Sequence, residues 1–125
     1  MKIILSLLIF LGVLTGPVPD RALAQTDPAV RTIPVSIEKR KVVGESTIRV
    51  KQGDQVQLQW STDEKVELHL HGIEKKVQVL PRKGSNMSFT AKATGRFPVT
   101  SHGFGQKAGH HHGPGALMYI EVHPK

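Results

Sequence analysis

From Ile33 to Val122 the chain alternates apolar and polar residues in short runs separated by turn chemistry. Side chains two apart share one face of a β-strand, so each run predicts a strand with one face in a core. Ile33, Val35 and Ile37 predict the first, after a loose polar leader from Gln25 to Thr32. Ile48 and Val50 lead into the turn sequence Gln52-Gly53-Asp54, and Val56, Leu58 and Trp60 follow. That arrangement predicts a hairpin or a strand-turn-strand crossing. Val77 and Val79, Met87 to Ala91, Phe97 with Val99, and Met118 to Val122 continue the pattern, broken by Pro81-Arg82-Lys83-Gly84 and Thr94-Gly95. No stretch of the mature chain makes a convincing helix. About seven short strands with turns between them predict an all-β, antiparallel sandwich.

One run carries chemistry on its polar phase. In Val66-Glu67-Leu68-His69-Leu70-His71-Gly72 the leucines share one face and the two histidines the other. A helix fits less well, because residues two apart do not face each other on a helix and Gly72 interrupts it. Two imidazoles on one face of a strand are close enough to share a metal ion. A second histidine group, His102 and the run His110-His111-His112, lies in or beside a glycine-rich stretch, Gly103 to Gly115, that reads as a loop.

The N-terminal residues read as a targeting signal. Lys2 precedes an apolar run from Ile3 to Leu14, and Ala22-Leu23-Ala24 supplies the small residues of a cleavage site before Gln25. The expected organisation is a signal peptide over residues 1–24 and one domain over 25–125, exported to the periplasm or secreted. There is no cysteine, so the domain stands without disulfides and any metal site lacks thiolate. Without Lys2, Arg21 and Asp20 the totals of 17 basic and 10 acidic residues fall to 15 and 9, a net charge of +6. That balance favours an anionic partner, an acidic envelope protein or a membrane surface. Nucleic acid is not expected, since no aromatic residues interleave with the basic ones.

Taken together, Ile48-Arg49-Val50 through Gly53-Asp54-Gln55-Val56, His69-Leu70-His71-Gly72, Gly95-Arg96-Phe97-Pro98-Val99 and Ile120-Glu121-Val122 give the mature chain a resemblance to single-domain cupredoxin-like proteins. The resemblance implies a Greek-key β-sandwich with a copper site at one end, built from a mid-chain histidine and the loop before the last strand. His69-Leu70-His71-Gly72 is similar to the histidine motif of multicopper oxidases. The chain departs from blue copper proteins, however. Ser101 falls near the position of their cysteine, Ala116 near that of the axial methionine, and Val66 near that of the other histidine. A type 1 blue centre is therefore not expected.

Histidine without cysteine selects borderline metals, copper(II) above all, then zinc or nickel. His69 and His71 are the leading ligand candidates, followed by His102 and then His110, His111 and His112, of which adjacent members diverge. Glu67 shares the histidine face as a possible carboxylate ligand or orienter, although a solvated surface glutamate is the commoner outcome. Met87 and Met118 fall on the apolar phase and read as core. His123 reads as a bystander. No Gly-x-Ser-x-Gly elbow or His-Glu-x-x-His run occurs, so no enzyme activity is expected. The function read from the sequence is exported copper binding through histidines, for carriage, buffering or sensing. The alternatives are a metal-free interaction module for an envelope protein and, behind it, a redox or superoxide-handling copper protein.

Overall fold

The computed structural model describes Gly16, residues 29–104 and residues 115–125. Nine strands form two sheets: β1 (Val30–Glu38), β2 (Lys41–Val42), β3 (Thr47–Lys51), β4 (Gln55–Thr62), β5 (Val66–Leu70), β6 (Lys75–Val79), β7 (Ser85–Thr90), β8 (Gly95–His102) and β9 (Met118–His123). One sheet has the order β2-β1-β4-β7 and the other β3-β9-β8-β5-β6. Among the described residues no helix is long and apolar enough to cross a membrane. The expected signal peptide and the run His110 to His112 lie outside the described residues.

The alternation read from the sequence is what fills the space between the sheets. Val56, Leu58 and Trp60 of β4, Val66, Leu68 and Leu70 of β5, and Met118, Ile120 and Val122 of β9 are all buried there. Each large apolar side chain taken fully out of water contributes roughly 1.5–3 kcal/mol, so these rows are the main source of stability. Met87 and Met118 are core residues, as their phase predicts.

The sheets are mixed, which corrects the antiparallel expectation. β1 runs parallel to β4, and β3 parallel to β9. Side-chain period does not encode strand direction, so alternation alone could not distinguish the two. β3 and β4 belong to different sheets, which settles the turn at Gln52-Gly53-Asp54 as a crossing. Nine strands form where about seven are expected, and one of the additional ones is β2, a two-residue piece paired only with Ile37 and Glu38. β1 also starts three residues before Ile33, because Val30, Arg31 and Thr32 pair with Gln55, Val56 and Gln57. Pro34 is tolerated within β1 because β2 reaches only the far end of that strand, which leaves the edge beside Pro34 without a ladder to break.

Candidate metal centre

β5 positions the histidines as the sequence predicts, with a polar face turned away from the core. Leu68 and Leu70 are fully buried, and His69 between them and His71 beyond them are half-buried on the opposite side. The site therefore lies on the outer face of the five-stranded sheet, alongside β8. His71 falls one residue past the end of β5, where its backbone N–H donates to the Pro98 carbonyl at 3.0 Å. The two imidazole rings lie with centroids 3.8 Å apart and planes tilted by 40°.

Gly72 and Glu74 shape the turn that follows. Gly72 has φ +83°, and a Cβ there would stand 2.6 Å from Cδ1 of Phe97, so only glycine fits. Glu74, with φ +57°, folds back over the turn. Its Oε1 accepts the Gly72 N–H at 3.0 Å, and its Oε2 lies 3.0 Å from His69 Nε2. The Gly72 N–H first, and His69 second, hold its carboxyl below the usual glutamate range. An ionised carboxylate only accepts, so His69 Nε2 carries the proton in this contact.

His71 is held from the neighbouring strand. Its Nε2 lies 2.7 Å from the Thr100 hydroxyl, which in turn lies 3.4 Å from His102 Nε2. One hydroxyl hydrogen serves one of these bonds, so Thr100 donates to one imidazole and accepts from the other. His102 is the last residue of β8, opposite Glu67, where the sequence reading placed it just past the strand. Pairing with β5 carries the ladder on through Ser101 and His102, which lack the apolar signal that marks a strand in sequence.

Ligand atoms of His69, His71 and Glu74 lie within 4.8 Å of one another. The 3.0 Å between His69 Nε2 and Glu74 Oε2 is close to the ~2.9 Å that separates two donors at right angles when each is ~2.0–2.1 Å from an ion. A nitrogen, nitrogen, oxygen set of this kind suits copper(II) or zinc. The sequence does not mark Glu74 as a ligand, since it stands beyond a glycine and off the alternation. Its only sequence mark is its place two residues after Gly72. Glu67, the carboxylate that shares the histidine face in the sequence, is exposed and not in this group. His123 lies 3.3 Å from Glu121 on β9, away from the site. Val66 is fully buried in the core and its side chain carries no donor atom, so it is no ligand.

No protein-family model matches the chain, and no curated protein matches it in sequence. Solved structures do share its fold. The periplasmic domain of cytochrome oxidase subunit II of Bradyrhizobium japonicum is similar over 75% of this chain and 84% of its own, at 15% identity and TM-score 0.56. Blue copper oxidase from Nitrosomonas europaea is similar over 78% of this chain at 20% identity and TM-score 0.60. Copper nitrite reductase from Nitrosomonas europaea is similar over 78% of this chain at 14% identity and TM-score 0.57. The chain spans only 40% and 42% of those last two proteins. These likenesses identify the architecture as a cupredoxin-like sandwich.

Proposed function

We propose that this domain binds copper(II) outside the cytoplasm as a non-enzymatic carrier, buffer or sensor. The observation that supports the reading is the convergence of His69, His71 and Glu74 donor atoms within 4.8 Å on the outer face of a rigid sheet. The fully buried Leu68 and Leu70 anchor the strand beneath them. Copper in the names of two structural neighbours supports the choice of metal. In this reading His69, His71 and Glu74 form the primary donor set. His102 stands beside it through Thr100, and the run His110-His111-His112 supplies the second donor group. Zinc is the competing ion, since it accepts the same donors.

The test is a copper(II) titration of the chain from Gln25 to Lys125 by isothermal calorimetry, with electron paramagnetic resonance of the loaded protein. The expected result is one tight site with a type 2, nitrogen-coordinated spectrum that is lost in His69→Ala/His71→Ala. Binding that survives this double substitution but not His110→Ala/His111→Ala/His112→Ala moves the site to the histidine run. Absence of binding above that of a histidine-poor protein overturns the metal reading and favours the interaction module. Affinity should also fall from about pH 7.5 to about pH 5, because protons compete for imidazole nitrogen near its ordinary pKa of about 6.5.

A further inference from the structure

The reverse side of the Gly72 turn faces a groove that the metal reading does not use. Its volume is about 840 Å³, and it runs from the start of β1 and β4 across the end of β7, the last strand of that sheet, to the β5–β6 turn at the margin of the other. Ile73, Phe89 and Phe97 give it an apolar floor, and Lys75 and Lys92 stand at its rim. The Phe97 ring packs against Gly72, so the floor of the groove is also the support of the turn that carries Glu74.

Charge is distributed unevenly around this groove. From Lys75 to Ile120 the sequence contains no aspartate or glutamate. Lys75, Lys76, Arg82, Lys83 and Lys92 are exposed, and among the described residues none of them is in an ion pair. Arg40, Arg49 and Arg96 have carboxylate partners, Glu64 for the first and Glu121 for the other two, whereas the lining of the groove holds Lys75 and Lys92 and no carboxylate. Unmatched cations beside an apolar trough favour an occupant that brings both acidic and apolar groups. β6 and β7 are each the outermost strand of their sheets. Edges of this kind accept an extended chain through main-chain hydrogen bonds, with alternate side chains entering the trough.

We infer that the groove between β7 and the Gly72 turn docks an acidic polypeptide segment of a partner protein, in extended form, with apolar side chains over Ile73, Phe89 and Phe97. Carboxylates of the segment meet Lys75 and Lys92. A segment seated there touches the turn that holds Glu74, so docking and the histidine group share one structural element.

The test uses the chain from Gln25 to Lys125, treated with EDTA so that its outcome does not depend on copper binding. The probe is a fluorescein-labelled peptide, Glu-Glu-Phe-Glu-Phe-Glu-Glu, followed by anisotropy and by amide shift mapping at low salt. The expected result is shifts at Gly72, Ile73, Ser88 and Thr90, with affinity at least about tenfold lower in Lys75→Glu/Lys92→Glu. Arg49→Glu/Lys51→Glu, on the opposite edge of the five-stranded sheet, should change affinity by less than about threefold. Shifts confined to other surfaces of the wild-type chain overturn the proposal without relying on any variant. Equal losses in the two double variants overturn it too. Binding of phosphatidylglycerol vesicles through the same lysines, without peptide binding, overturns it in favour of a membrane surface.

Discussion

Glu74 reaches back across the Gly72 turn to His69, its Oε2 3.0 Å from Nε2, while its other oxygen is fixed by the Gly72 N–H. The carboxylate is thus oriented by the backbone before any ion arrives. Metal binding would displace the proton that His69 Nε2 donates to Oε2. Glu74→Gln keeps the shape and the bond to Gly72 but removes the negative donor. Copper(II) affinity is expected to fall about 10- to 100-fold, the range seen when a supporting group of a metal site is lost. A competition titration against a chelator of known affinity measures this. Unchanged affinity removes Glu74 from the ligand set.

Thr100 does for His71 what Glu74 does for His69. It stands directly opposite His69 in the β5–β8 ladder, and its hydroxyl lies 2.7 Å from His71 Nε2. Thr100→Val keeps the β-branched shape and deletes the hydroxyl, leaving both His71 and His102 without this partner. The expected effect is about tenfold weaker copper binding, with Thr100→Ser restoring most of it. Thermal unfolding should change little, because Thr100 is half-buried on the outer face. A drop in melting temperature with no change in affinity would make Thr100 a purely structural residue.

The division between what the sequence disclosed and what it hid follows from the range of each interaction. Leu68, Leu70, His69 and His71 could be assigned to their faces because period 2 is local, and the structure agrees at every one of them. The parallel partners of β1 and β3 could not be read. Pairing Ile33 with Leu58, or Ile48 with Ile120, depends on contacts distant in sequence that leave no mark on either strand. Glu74 was missed for a related reason. It earns its place through a left-handed turn, and the sequence offers only a glycine two residues earlier as a sign of that turn. His102 reads from the sequence as lying just past the Val99 strand, whereas it ends β8, because strand ends fade when the last paired residues are polar.

Gly72 sits at a close approach that should be visible in stability. Its φ of +83° already disfavours other residues, and a Cβ would meet Phe97 Cδ1 at 2.6 Å. Gly72→Ala should destabilise the domain by about 1–3 kcal/mol, from backbone strain together with displacement of the ring. Phe97→Leu in the same chain removes part of the steric conflict and none of the backbone strain. The double variant should therefore lose less than the sum of the two single losses. Urea unfolding of the four proteins checks this. Strict additivity would mean that the ring moves aside freely and that φ alone accounts for the cost.

Arg40 and Glu64 tie the β1–β2 turn to the β4–β5 turn, with Arg40 Nε 2.9 Å from Oε2 and a second guanidinium nitrogen 3.2 Å from Oε1. Lys39 N–H adds a bond to Asp63 Oδ2 at 2.8 Å across the same gap. The Arg40 hydrogen bond holds the Glu64 carboxyl below its ordinary value of 4.5. Between the ordinary and the depressed pKa the unfolded chain binds more protons than the folded one, so stability rises with pH across that window. The contribution of this pair is complete above the ordinary glutamate range and is lost as pH falls through the depressed value. Both partners face solvent, so the effect is small and is screened by salt. Melting temperature measured from neutral pH down to the acid limb should fall more steeply in the parent protein than in Arg40→Leu, and added salt should narrow the difference. Identical acid limbs would show that the pair contributes no pH-dependent stability.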